Sequence, residues 1–144
     1  MAVLKVTIKE ELVLNGKDMG NENFLSITGV NNAEHRVVSV DTSEQSLLLF
    51  DTAISAGTLE EGTLKHLRLT NLDTTYKVIL RIEDSTGNLG QAIFEIEPGE
   101  SFIMGNDRLF ADNTNTSASL VNIDAIYVKA DTSSCELEMF VATT

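Results

Sequence analysis

The stretch YKVILRIE, residues 76–83, decides the fold class because apolar side chains recur at every second position. Successive side chains of a β-strand point to opposite faces, so a period of two predicts a half-buried strand. The inward face would carry Tyr76, Val78, Leu80 and Ile82, and the outward face Lys77, Ile79, Arg81 and Glu83.

The chain then turns back on this strand. Residues 84–90, DSTGNLG, are rich in turn-forming residue types, and an apolar alternation resumes at Ala92, Phe94 and Ile96. This pattern predicts an antiparallel hairpin. Its glycine-rich segment, residues 87–90, lies between two strands and not before a helix, so it is predicted to be a loop rather than a phosphate cradle.

Short runs of the same kind continue along the chain and are separated by turn signals. We expect further strands at residues 24–28, 35–40, 66–70, 101–104, 123–130 and 135–141, with turns at 71–75 and at Pro98-Gly99. Residues 46–50 form a short apolar run that is too brief to predict a helix. A long loop is predicted at residues 53–62, with one helical turn as the alternative. A polar surface loop is predicted at residues 105–118. Strands at this spacing favour an all-β fold: an antiparallel, jelly-roll-like β-sandwich, one domain spanning residues 1–144.

The first fifteen residues have their own alternation. One face is predicted to carry Leu4, Val6, Ile8, Leu12 and Leu14. Glu10 interrupts that face, which predicts a bulge or break in the strand. Asn15-Gly16 readily adopts the positive φ angles of a tight turn. The segment is expected to be half-buried.

Composition excludes several classes of function. The net charge is −12, with ten Lys and Arg against twenty-two Asp and Glu, so binding to nucleic acid or to an anionic membrane is not expected. No run approaches the roughly 20 apolar residues of a membrane helix, and the first residues lack the pattern of a signal peptide. A single cysteine predicts no internal disulfide and favours assembly in the cytoplasm, so the sequon at Asn115 is interpreted as chance.

Candidate reactive residues are few. His35 and His66 fall on outward strand positions without the spacing of metal ligands, and we expect both to be solvated. Cys135 falls on an inward position and is expected to be a small buried hydrophobe, its pKa raised by Glu136 and Glu138. The sequence therefore predicts no catalytic, cofactor-binding or metal-binding residues and no cofactor.

Acidic and aromatic residues offer weaker candidates. The acidic pairs are Glu10-Glu11, Glu60-Glu61 and Glu83-Asp84. Consecutive strand residues point to opposite faces, so no pair is expected to form the two-carboxylate site of a glycosidase. Oxygen-bearing side chains between residues 106 and 113 leave a calcium site open as a hypothesis, although their spacing matches no defined calcium loop. The chain has no Trp, and Tyr76 and Tyr127 are both expected near the core, which argues against a sugar-binding platform.

Three segments resemble small β-sandwich virion proteins of tailed bacteriophages. They are HLRLTNLDTTYKVILRI (residues 66–82), IEPGESFIM (residues 96–104) and ADTSSCELE (residues 130–138). The resemblance implies a non-enzymatic virion protein, namely a capsid decoration or cement protein on the outer surface of the phage head. The partners it implies are the major capsid protein or other virion subunits and copies of the chain itself, with a trimer favoured.

Other functions remain open at this point. Residues 1–15 could contact a neighbouring subunit by adding a strand to its sheet. A tail or neck adaptor, or a fibre-associated subunit, is the first alternative, and a host-glycan-binding β-sandwich module is the second. An enzyme ranks last because no constellation of residues supports one.

Overall fold

The structure, a computed structural model, describes residues 2–53, 55–84, 91–109 and 120–144. Every regular element in these ranges is a strand. The strands are β1 (Ala2–Glu10), β2 (Val13–Leu14), β3 (Lys17–Asp18), β4 (Asn21–Val30), β5 (Asn32–Val40), β6 (Gln45–Asp51), β7 (Leu59–Glu60), β8 (Leu64–Asn71), β9 (Val78–Asp84), β10 (Gln91–Ile96), β11 (Ser101–Met104), β12 (Arg108–Leu109), β13 (Val121–Ala130) and β14 (Cys135–Thr143). The all-β prediction is confirmed.

Eight of these strands form a sandwich by nested antiparallel pairing. β5 pairs with β14, β6 with β13, β8 with β11 and β9 with β10. Further pairing of β8 with β14 and of β9 with β13 gives two sheets, ordered β11-β8-β14-β5 and β10-β9-β13-β6. This nesting is the jelly-roll arrangement of two packed sheets that the strand spacing predicted.

The core lies between the two sheets and follows the predicted alternation. Fully buried side chains include Leu67, Leu69, Leu80, Ile82, Ile126, Leu137 and Met139. Each occupies an inward position of β8, β9, β13 or β14. A core of this size buries enough apolar surface to hold the sandwich without a disulfide or a metal ion.

Polar residues define the turns that join these strands. Asn71 is fully buried, and its Nδ2 donates to the carbonyl oxygens of Tyr76 at 2.9 Å and Ile96 at 3.1 Å. The predicted turn after β8 is thereby tied to the start of β9 and the end of β10. Gly99 has a φ of 78°, and the amide of Glu100 donates to the carbonyl of Glu97 at 3.0 Å, which confirms the predicted turn at Pro98-Gly99.

The two predicted loops contain short strands. β7 lies within residues 53–62 and pairs in parallel with β6, and the described part of that loop contains no helical turn. β12 lies within residues 105–118 and pairs with β13. The β9–β10 hairpin is confirmed by its register, whereas its glycine-rich loop at residues 85–90 and the sequon at Asn115 lie outside the described residues.

Candidate interaction surface

Residues 2–30, here called the hairpin arm, precede the sandwich and meet it at Asn31. β1 and β4 pair antiparallel from Ala2 and Val30 to Glu10 and Asn21. In the part of the chain that the structure describes, neither strand joins a sandwich sheet, and no arm residue belongs to the core. At about 3.3 Å per residue the ribbon is about 30 Å long.

The arm bends at its far end. β1 stops at Glu10, which confirms the predicted break, and β2 and β3 form a short ribbon beyond it. Asn15 and Gly16 have φ angles of 52° and 78°, as a type I′ turn requires. At Gly20 a Cβ atom would lie 2.6 Å from the carbonyl oxygen of Glu10, so only glycine fits this bend. A cleft of about 550 Å³ opens beside the bend.

One face of the ribbon is apolar along most of its length. The register places Leu4 opposite Ile27 and Val6 opposite Leu25. This face, here called the apolar stripe, consists of Leu4, Val6, Ile8, Leu25 and Ile27. Leu25 is 54% exposed and Ile8 is also exposed. A two-stranded hairpin by itself is only marginally stable in water, so this face is a candidate for contact with a partner.

The expected burial of this segment is wrong for three side chains. Ile8, Leu12 and Leu14 are exposed, whereas Leu4 and Val6 are half-buried. The reason is that β1 pairs with β4 alone and no sandwich sheet covers the ribbon. The tip of the arm therefore adds Leu12, Leu14 and also Val13 to the exposed apolar surface.

The opposite face of the ribbon is mostly polar, but it also carries exposed Val3 and one aromatic ring. Lys5, Thr7 and Lys9 alternate along β1 on this face. Phe24, directly opposite Thr7, is 75% exposed. Lys9 forms an ion pair with Glu11. The two faces of the arm thus differ in chemistry.

Charge is divided unevenly between the arm and the sandwich. Residues 1–31 contain three of the ten basic residues and four of the twenty-two acidic ones, so this segment carries a net charge of −1. The remaining residues contain seven bases and eighteen acids and carry −11. The arm is nearly neutral, and the sandwich carries almost all of the negative charge.

Both histidines lie on the outer face of the β11-β8-β14-β5 sheet. His35 Nε2 lies 2.8 Å from Glu138 Oε1, and Arg68 Nη1 lies 2.6 Å from Glu138 Oε2. The Phe140 ring is 6.3 Å from the His35 ring and 6.0 Å from the His66 ring. The outward positions predicted for both histidines are confirmed.

The expectation that His66 is solvated is wrong. His66 is only 6% exposed, because its outward position is covered by neighbours that include the edge of Phe140. Burial lowers the pKa of His66, and the charge of Arg68 lowers it further. His66 is therefore a neutral packing residue at neutral pH.

An acidic cluster surrounds Asp124, and sequence reasoning missed it. Asp124 is the extra residue of a bulge in β13, where the pairing with β9 shifts between Ile123 and Ala125. Asp124 is exposed, but partial desolvation at the bulge raises its pKa, and acidic neighbours raise it further. Those neighbours are Glu83, Glu61, Asp51 and Asp84. Glu61 and Glu83 belong to different predicted pairs, which come together only in the fold.

The described part of the chain offers no built metal site. Within those ranges no three His, Cys, Asp or Glu side chains are placed to hold a metal ion. Asp107, from the predicted calcium loop, is buried, and its Oδ2 accepts a hydrogen bond from the amide of Gly62 at 2.5 Å. Asp112 and Asn113, which the calcium hypothesis also needs, lie outside the described residues, so that hypothesis stays a prediction.

Both tyrosines are half-buried rather than exposed as a sugar-stacking ring would be. The guanidinium of Arg81 lies 4.1 Å from the centre of the Tyr127 ring and is held by Glu44 at 2.7 Å. Tyr76 is half-buried and packs against the core, as expected. The one strongly exposed ring described above, Phe24, lies on the arm.

Cys135 is buried on the inward side of β14, as predicted. Burial raises the pKa of its thiol, and the charges of Asp73 and Asp131 raise it further. The predicted direction is confirmed, although Glu136 and Glu138 are not the acids responsible. A thiol in this state is a poor nucleophile.

Comparisons with known proteins give no identification. No protein family, curated protein or solved structure matches the chain. No helix in the described ranges is long and apolar enough to cross a membrane. Function is therefore inferred from the arm and from the faces of the sandwich.

Proposed function

We propose that this protein is a non-enzymatic structural subunit of a tailed-bacteriophage particle. In this role it is a decoration or cement protein that binds the outer surface of the head and stabilises it. The observation that carries the proposal is the hairpin arm, which holds exposed apolar side chains on a ribbon about 30 Å long, outside a sandwich with its own complete core.

The exposed side chains of the arm favour contact with another protein. Burying one Val, Leu, Ile or Met side chain stabilises a folded protein or complex by about 1.5–3 kcal/mol. Val13, at the tip, is 71% exposed and is joined there by Leu12, Leu14 and Met19. Contiguous apolar surface of this kind marks a protein interaction site in soluble proteins. The tip is the part of the arm farthest along the ribbon from the sandwich, so we assign it the contact with the head.

Backbone groups supply a second means of attachment. β1 and β4 pair with each other and have no second neighbour among the described strands, so each leaves one edge free. A free edge can add to a sheet of a neighbouring subunit through main-chain hydrogen bonds. The major capsid protein is the partner that this role requires.

The sandwich suits the same role. Jelly rolls occur in viral capsid proteins, and also in lectins and cupins, so the fold alone does not decide the function. Here both histidines lie outside an apolar interior, and the outer surface is strongly acidic. An acidic exterior resists non-specific adhesion to DNA and to other anionic surfaces. The segments that resemble phage virion proteins lie in this sandwich.

The proposal is tested by adding the purified full chain to phage heads that lack it. We expect the protein to sediment with the heads and to raise the fraction that survives heating or osmotic shock. Val13→Lys at the arm tip should weaken this binding at least about tenfold, because a charge would be buried at the contact. Ile93→Lys, at a similarly exposed position on the sandwich, is the matched control. Heads that neither bind the protein nor gain resistance would refute the proposed function.

A further inference from the structure

We infer that the apolar stripe of the arm binds the same stripe of a second copy of the chain, so that two arms stack antiparallel about a two-fold axis. The inference deepens the proposed function, since both assign the arm to assembly, but it names a different partner for a different part of the arm. The tip is left to contact the head.

The stripe determines the chemistry of its partner. Its five side chains are aliphatic, and no charged residue interrupts that face between Leu4 and Ile8 or between Leu25 and Ile27. Two strands about 4.8 Å apart and about 30 Å long present a narrow apolar surface. The partner must match it with an equally long, narrow and uncharged surface, and the arm of a second copy has this shape.

The stripe is also self-complementary. Val6 and Leu25 lie opposite each other at its centre, with Leu4 toward the base of the arm and Ile8 toward the bend. In an antiparallel stack the two-fold axis passes near Val6 and Leu25. Leu4 of one copy then meets Ile8 of the other, and Ile27 meets the uncharged Asn23. A two-fold contact uses the same patch on both subunits, which is the geometry of most symmetric dimers.

Charge favours the antiparallel arrangement over the alternatives. Two sandwiches that each carry −11 repel one another, whereas the arms carry only −1 each. Antiparallel arms separate the sandwiches by about 30 Å, which is several times the Debye length of about 8 Å at physiological salt. Parallel arms, or contact between two sandwiches, would bring the negative charges together.

The size of the stripe limits the strength of the pair. A ribbon about 30 Å by 10 Å covers about 300 Å², well below the roughly 800 Å² that each partner contributes to a stable interface. The pair is therefore weak and depends on concentration, which a head lattice would supply. Each end of such a pair presents the sandwich of one copy and the arm tip of the other. A single pair can therefore bridge two sites on a head. The arrangement is a dimer and not the trimer that the resemblance to phage virion proteins favours.

Sedimentation equilibrium of the full chain over a range of concentrations tests the pairing. We expect the mass to rise from 15.7 kDa toward twice that value. Leu25→Lys should raise the dissociation constant on the order of tenfold or more, because two like charges would meet at the axis. Phe24→Lys is the matched control, since it adds the same charge to the adjacent residue on the opposite face, and it should change the constant less than about twofold.

A second measurement locates the axis. Facing sheets lie about 10 Å apart, too far for a disulfide, so a short bismaleimide linker is the appropriate probe. Val6→Cys should crosslink into dimers and Thr7→Cys, on the opposite face, should not. Cys135 is buried and should not react.

Three results would overturn the inference. They are a wild-type chain that stays monomeric, a Leu25→Lys variant that associates as well as the wild type, and a mass that settles at three chains. A monomeric chain that still binds and protects heads would refute the pairing and leave the proposed function intact. A chain that pairs but does not bind heads would refute the proposed function and leave the pairing intact.

Discussion

His66 lies on the outer face of β8 beside Arg68, with the edge of Phe140 against its ring. Burial lowers the pKa of His66 below its ordinary value of 6.5, and Arg68 lowers it further. The folded chain therefore binds this proton more weakly than the unfolded chain does. The contribution of neutral His66 to the free energy of unfolding is complete above about pH 6.5 and is lost as the pH falls below that value.

We predict that the free energy of unfolding decreases between about pH 6.5 and pH 5, before most carboxylates protonate. Urea unfolding at a series of pH values measures this decrease. His66→Gln should flatten the pH dependence in this window. An unchanged slope in the His66 variant would show that another group titrates there.

At the scale of single elements, Gly20 holds the bend of the arm. A Cβ atom at this position would lie 2.6 Å from a main-chain oxygen of Glu10, so the backbone must shift to accept any other residue. We predict that Gly20→Ala loosens the arm and increases its cleavage in limited proteolysis. The free energy of unfolding of the sandwich should change by less than about 0.5 kcal/mol, because the arm contributes nothing to the core.

Gly105→Ala is the matched control for this variant. A Cβ atom at Gly105 meets no other atom within 4 Å, so the substitution should leave both cleavage and unfolding unchanged. A large loss of sandwich stability in Gly20→Ala would contradict the separation of arm and core. Equal cleavage of both variants would show that the bend does not depend on glycine.

The arm also shows what alternation can and cannot predict about an element. Leu4, Val6 and Ile8 have the same period as Val78, Leu80 and Ile82, and both runs are strands. The period reports how side chains are distributed between two faces, but not whether a second sheet covers the apolar one. β9 packs inside the sandwich and β1 pairs with β4 alone, so only the fold distinguishes a core strand from an exposed ribbon.

At the scale of the whole molecule, strand register and bulges explain the other features that the sequence did not predict. The nested pairing brings β9 beside β13 and places Glu83 near Asp124, although forty residues lie between them in sequence. The strands and most turns could be predicted because they follow from local periodicity and turn chemistry. The acidic cluster could not, because it depends on which strands pair and on one extra residue in β13.

The uneven charge of the molecule determines how salt acts on its stability. With a net charge of −12, long-range repulsion opposes the compact state, and salt screens that repulsion. Exposed ion pairs such as Lys77–Glu95 lose strength in salt, but pairs of this kind contribute little to stability. We therefore predict that raising NaCl from about 0.01 to about 0.5 M increases stability by about 1 kcal/mol, seen as a Tm higher by about 4 °C.

Asp124 should account for a measurable part of this effect. Its raised pKa means that the charged form of Asp124 is disfavoured in the folded chain. The resulting loss of stability is absent below about pH 3.8 and fully present at neutral pH. Asp124→Asn should thus raise Tm at low salt and reduce the gain that salt produces. Glu136→Gln removes one exposed charge from the other sheet and serves as the control, because it should leave both quantities nearly unchanged. A wild-type Tm that falls with added NaCl would show that ion pairs, and not net charge, dominate the electrostatics of this sandwich.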